Sequence, residues 1–152
     1  MTQPNFMTLT VKAIPENVGL VRLAVAVFAS QLPFAVHEID EIKVAVSEAV
    51  TNAVVHAYPE GGGIVEVRAQ IGEDGLTVIV RDEGIGIADL ELARQNGYSS
   101  DPERLGMGFY FMEELMDSVE VESQPGRGTR VVLRRRPDPT AQPQQDAEPA
   151  VG

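Results

Sequence analysis

The stretch SEAVTNAVVHAY, residues 47–58, spaces Glu48, Asn52 and His56 four apart in a run otherwise rich in alanine and valine. On a helix that spacing stacks three polar side chains along one side. An asparagine carbonyl oxygen is a hard, neutral ligand suited to Mg²⁺, which keeps phosphate oxygens and waters as its other ligands. A glutamate one turn away could act as general base for a hydroxyl or water attacking a phosphoryl group. His56 suits a polar contact to phosphate or ribose better than a proton shuttle. The plainer alternative is that the stripe is the solvent side of an amphipathic helix, and Ser47, Thr51, Glu41 and Lys43 are polar as well.

A second candidate is Asp82, which opens DEGIG. It shares the parity of Leu76, Val78 and Val80, so a strand that buries those residues carries a carboxylate inward at its end. A buried carboxylate must be paired or hydrogen-bonded, and an exocyclic amine such as adenine's is one partner. Gly84 and Gly86 would let backbone approach a flat ring. Thr129, in phase with Val131 and Leu133, could bring its hydroxyl to the same place. The alternative is an ordinary turn in which Asp82 satisfies backbone amides. Third, Gly106 and Gly108 in LGMGF stand where a helix is expected to begin, and free N–H groups at a helix N-terminus receive phosphates. Arg104, two residues upstream, could reach a terminal phosphate. Glycines and an arginine before a helix can equally be loop punctuation and a solvated side chain.

The elements that must position these residues follow from periodicity. A strand is expected over 7–13, a helix from Asn17 to about Leu32, and a second helix over 37–57 with Ile39, Ile42, Val46, Ala49, Val50, Ala53 and Val54 on its core side. Strands over 64–71 and 76–82 flank GEDG, a hairpin signal. A short helix over 88–95 and a loop over 96–105 come next, then a helix through GMGFYFMEELMD and the strands SVEVES and GTRVVLRR. Strands arriving mostly as hairpins, with helices not alternating regularly, predict an α+β two-layer sandwich.

The chain has 152 residues, 43% of them hydrophobic, enough for one domain with one core. Twelve Lys and Arg against 23 Asp and Glu give a net charge of −11, which argues against a nucleic-acid partner. The absence of cysteine excludes disulfides and thiolate chemistry. No apolar run reaches membrane-spanning length and no signal-peptide pattern opens the chain, so no membrane association and a cytoplasmic location are expected. Neither a P-loop nor a G-x-G-x-x-G fingerprint is present. From Pro137 onward, PDPTAQPQQDAEPAVG carries four prolines and almost no large apolar residue; a domain over 1–136 with a disordered tail over 137–152 is the expectation.

In order, E-x-x-x-N, D-E-G-x-G and G-x-G-F resemble the nucleotide fold shared by gyrase, certain chaperones, histidine kinases and mismatch-repair ATPases, the Bergerat or GHKL fold. EIKVAVSEAVTNAVVHAY, VRDEGIGI, LARQ and RLGMGF are similar, more narrowly, to the stand-alone serine kinases that act as anti-sigma factors, the sporulation branch above all; the likeness covers about residues 8–135. It implies ATP and Mg²⁺ as cofactors, with Asn52 on the metal and Glu48 as catalytic base. It implies that Asp82 binds the adenine amine with Thr129 supporting a water, and that Gly86 and Ile87 line the base. Ser99, Ser100, Gly106, Met107, Gly108 and Phe109 would form lid and phosphate cradle, with Arg104 near the γ-phosphate. Arg22 matches a position that contacts protein partners. The implied protein is a homodimer that holds a sigma factor and phosphorylates a serine of an anti-anti-sigma protein. The general-stress branch and a nucleotide-gated module without phosphotransfer are the alternatives.

Overall fold

The computed structural model describes residues 3–87 and 103–140, with 103–106 described as helix backbone only. Five strands, β1 (Asn5–Lys12), β2 (Ile64–Gly72), β3 (Gly75–Asp82), β4 (Ser118–Gln124) and β5 (Gly128–Arg135), form one antiparallel sheet in the order β1-β2-β3-β5-β4. Three helices, α1 (Glu16–Ala29), α2 (Val36–Asn52) and α3 (Glu103–Leu115), cover one face, and α2 lies between the other two. The two-layer α+β sandwich is as the hairpin pattern predicts.

Alternation decides which face is covered. Val65, Val67, Ala69 and Ile71 of β2 and Leu76, Val78 and Val80 of β3 are buried against Val21, Val25, Ile42, Val46, Val50, Phe109 and Met112 of the helices. The opposite parity faces solvent and carries cross-strand ion pairs, Arg81 with Glu66 at 3.4 Å, Arg130 with Glu122 at 3.5 Å and Arg134 with Glu120 at 2.6 Å. Such exposed pairs specify register more than they stabilise. The hairpin between β2 and β3 closes on the Gly72–Gly75 pair, with Gly75 at φ 93°.

Two elements differ from the sequence expectation. The helix expected to run through residue 57 is α-helical only to Asn52, and Ala53–Ala57 continue as a single π turn. The helix expected to start at the two glycines instead begins at Glu103. Glu103, Arg104 and Leu105 are good helix formers and extend it upstream. Gly106 thus closes the first turn and Gly108 lies in the second, where backbone amides are engaged within the helix. The helix expected over 88–95 lies outside the described residues.

One buried ionic cluster joins the helical layer to the sheet. Glu38, fully buried, accepts the N–H of Ala35 at 2.8 Å and so caps the start of α2. Its other oxygen accepts Arg135 Nη2 at 3.4 Å and the N–H of Asp138 at 2.9 Å. Arg135 also donates to the Leu115 carbonyl at 2.6 Å, at the end of α3, and pairs with Glu41 at 2.8 Å. The start of α2, the end of α3, the end of β5 and the segment after it therefore meet at the Glu38–Arg135 pair. Arg135→Met should lower stability by about 3 kcal/mol, because the Glu38 carboxylate stays buried without its counter-charge. Urea unfolding should show a lower midpoint at unchanged slope, and a midpoint equal to that of the unmodified protein would refute the role.

Candidate nucleotide site

Two of the three polar residues of the stripe, Asn52 and His56, face inward. Asn52 and His56 line a cavity together with Ala49, Ala53, Ala57, Val80, Asp82, Gly86, Ile87, Phe109, Thr129 and Val131. Its walls are mostly apolar with a few converging polar groups, the usual make-up of a small-molecule site. Asn52 and His56 come from the end of α2 and the π turn, Asp82 from the end of β3, Thr129 from the start of β5 and Phe109 from α3. A π turn widens the backbone locally and recurs at functional sites. The solvent-side reading of this stripe therefore fails for Asn52 and His56.

Asn52 is the clearest sign of an unfilled requirement. Its Nδ2 is buried and has no hydrogen-bond partner among the described residues. A buried amide without a partner is uncommon and calls for a ligand. Glu48, one turn earlier, is half-buried and does not line the cavity itself. Gly108 explains how the two sit together: a Cβ there would come within 3.2 Å of the Asn52 amide and of Glu48 Oε1. The glycine thus lets α3 lie close over the polar stripe. Phe109 beside it is fully buried in core and cavity wall, whereas Met107 is 36% exposed.

Asp82 is 8% exposed. It is paired with Thr129 across β3 and β5, and its Oδ1 accepts the Gly84 N–H at 2.9 Å. Burial pushes its carboxyl above the ordinary value of 3.8, and the N–H groups of Gly84 and Thr129 partly oppose that rise. The loop after it is pinned at alternate amides. Glu83 N–H donates to Tyr58 Oη at 2.8 Å, Ile85 N–H to the Ala57 carbonyl at 2.9 Å and Ile87 N–H to Ser123 Oγ at 2.7 Å. Gly84 packs so closely on Ala57, and Gly86 on Gln124, that a Cβ at either would collide with a carbonyl oxygen; Gly86 also has φ 77°. Both glycines are therefore dictated by close backbone approach.

Tyr58 and Ser123 were not singled out from the sequence. Tyr58 also donates to the Ile64 carbonyl at 2.8 Å, tying the start of β2 to the DEG turn. Ser123 had a signal available, since it faces Thr129 across the β4–β5 ladder. Arg22 is exposed on α1, with Nη1 donating to Ser47 Oγ at 3.3 Å, apart from the cavity. Ser99 and Ser100 lie outside the described residues, as does the side chain of Arg104, and Gly106 is described only as helix backbone. No helix of the described residues is long and apolar enough to cross a membrane.

Comparison with known proteins bears on the family and the fold. The histidine kinase-like ATPase domain family matches residues 11–135. The anti-sigma F factor of Clostridium acetobutylicum is 47% identical over 134 residues, covering 87% of this chain and 94% of the relative. That of Pasteuria penetrans is 47% identical over 136 residues, covering 87% and 91%. Among solved structures, the RsbU and RsbW domains of a Mycobacterium tuberculosis protein superpose with a TM-score of 0.67 at 23% identity, over 91% of this chain and 34% of that one. A blue-light activated histidine kinase domain of Erythrobacter litoralis gives a TM-score of 0.52 at 21% identity, over 81% and 60%. These two carry the fold alone; the family match and the anti-sigma F relatives carry the assignment. The chain belongs to the histidine kinase-like ATPase domain family and, within it, to the anti-sigma F factors.

Proposed function

We propose that the chain is an anti-sigma factor of the sporulation branch that binds Mg²⁺ and ATP and phosphorylates a serine of an anti-anti-sigma partner. The observation that carries the nucleotide part is the single cavity walled by Asn52, Asp82, Gly86, Ile87, Phe109 and Thr129. The kinship with anti-sigma F factors supports the sigma-factor partner, and a cytoplasmic homodimer is part of the same proposal. Arg22, exposed on α1 and outside the cavity, suits contact with the protein partners.

Asp82 reads the base. Its carboxylate accepts from an exocyclic amine in a nearly dry corner, where such a bond counts for more than in water. Gly86 and Ile87 supply backbone and a side-chain edge along the ring, and His56 contacts ribose or phosphate. Asn52 holds the metal: a half-turn of its amide directs the carbonyl oxygen where the unpartnered nitrogen now points. Among the described residues no group of three His, Asp or Glu converges there, which suits a cation that brings phosphate oxygens and waters as its other ligands. Bound Mg-ATP would supply the phosphoryl group and neutralise its charge. Glu48, held next to Asn52 under Gly108, orients the serine hydroxyl and accepts its proton. Arg104, Ser99, Ser100, Gly106 and Met107 complete the phosphate cradle and lid in this reading.

Glu48→Gln should bind ATP within about twofold of the unmodified protein and lose phosphotransfer by at least about 100-fold, the usual contribution of a positioned base. Labelled ATP and the anti-anti-sigma protein measure this. Transfer at the normal rate removes Glu48 from the role. ATP binding by the unmodified protein without any transfer favours a nucleotide-gated binding module instead.

Asp82→Asn should weaken ATP binding about tenfold to 100-fold, the range for a hydrogen bond to a charged group. The Asp82 shift also fixes a sign. With the native pKa above the unfolded 3.8, the protonated side chain favours the fold; that contribution is complete below 3.8 and lost as pH rises through the native pKa. The stability of the unmodified protein relative to Asp82→Asn should therefore grow on acidification, while ATP affinity falls over the same interval. Unfolding and titration across pH measure both, and a relative stability that shrinks on acidification contradicts the assignment.

A further inference from the structure

Ser123 stands at the end of β4 with more hydrogen bonds than its surroundings require. Its Oγ accepts the Ile87 N–H at 2.7 Å, lies 2.8 Å from Thr129 Oγ1 and donates to the Gly128 carbonyl at 3.1 Å. A hydroxyl has one proton and two lone pairs. If Ser123 gives its proton to the Gly128 carbonyl, its oxygen accepts from Ile87 and from Thr129, and all three contacts are satisfied. If it gives the proton to Thr129 instead, the Gly128 contact is left with none. The first arrangement uses every contact, so the Thr129 proton points at Ser123 and away from the cavity that Thr129 lines. The cavity side of Thr129 Oγ1 then carries lone pairs alone, beside the Asp82 carboxylate, which also accepts.

We propose that Ser123 is a positioning residue that fixes the direction of the Thr129 hydroxyl, so that this corner of the cavity presents only acceptors and selects a purine bearing an exocyclic amine over one bearing an oxo group. The inference rests on the reading of the cavity as a nucleotide site and deepens it. An amine donates to such a corner directly or through a water. An oxo group brings lone pairs against lone pairs, and a site built for a donor rejects a ligand lacking it. The same hydroxyl holds Ile87, so the loop along the ring and the selectivity of the corner depend on one oxygen.

The test is titration with ATP and with inosine triphosphate, which carries an oxo group in place of adenine's amine. The unmodified protein should prefer ATP. Ser123→Ala releases the Thr129 proton to turn into the cavity; ATP binding should weaken and the ATP preference should fall about threefold to tenfold, the scale of one neutral hydrogen bond. Ser123→Thr, which keeps the hydroxyl, should restore the preference. In a Thr129→Val background, Ser123→Ala should leave the preference unchanged, because no proton remains to redirect. Equal weakening of both nucleotides in a folded Ser123→Ala protein overturns the proposal while leaving the nucleotide site intact. An unmodified protein that binds neither nucleotide overturns the site itself.

Discussion

A carboxylate taken out of water at the end of a central strand is the constraint on which the rest of this architecture depends. Asp82 is buried on the same face as the valines that precede it, and desolvation works against its charge. Such a group persists only where donors converge on it, and here they come from the backbone of Gly84 and Thr129. That demand sets the tight turn after β3 and the side-by-side placement of β3 and β5. It also accounts for the pinned loop, whose amides at 83, 85 and 87 are held by Tyr58, Ala57 and Ser123. A wall anchored at alternate residues is preorganised, and binding against it carries little ordering cost.

The opposite wall depends on how closely two helices can approach. α3 crosses α2 at the very turn where α2 carries Glu48 and Asn52, and only a residue without a side chain fits between them without displacing those polar groups. Farther along, Arg135 ties the end of α3 to the start of α2 through Leu115, Glu41 and Glu38. The first contact lies near the middle of α3 and the second at its C-terminal end. Gly108 sets the separation near the cavity, and the buried ionic cluster fixes the far end. Near the cavity Asn52 keeps one buried nitrogen without a partner among the described residues, the kind of local deficit that globally consistent folds concentrate at functional sites.

The remaining surfaces divide labour differently. The outer face of the sheet is laced with arginine–carboxylate pairs across neighbouring strands, which keeps it solvated and in register. On the helical side, α1 keeps Leu20, Leu23 and Val27 exposed near Arg22, so apolar surface and a cation are offered away from the cavity. The cavity and this exposed apolar strip therefore occupy separate parts of one small domain.

Local periodicity was enough to set the elements, their order and the inward face of each strand, because a two-residue repeat leaves a strand only one way to bury Leu76, Val78 and Val80, and Asp82 must follow them. It also put Thr129 in phase with Val131 and Leu133, while its pairing with Asp82 came from the β3–β5 register. The sequence could not decide whether Glu48, Asn52 and His56 face water or the interior, since a polar stripe looks the same in both cases; the packing of α3 decided it. Nor could it reveal that the helix slips into a π turn after Asn52, or that α3 begins before its glycines, because those boundaries depend on packing partners far along the chain. Tyr58, Ser123, Glu38 and Arg135 gain their roles from neighbours 25, 36 and 97 residues away. Hydrogen bonds over such separations exist only once the chain has folded, and so only the tertiary structure could assign them.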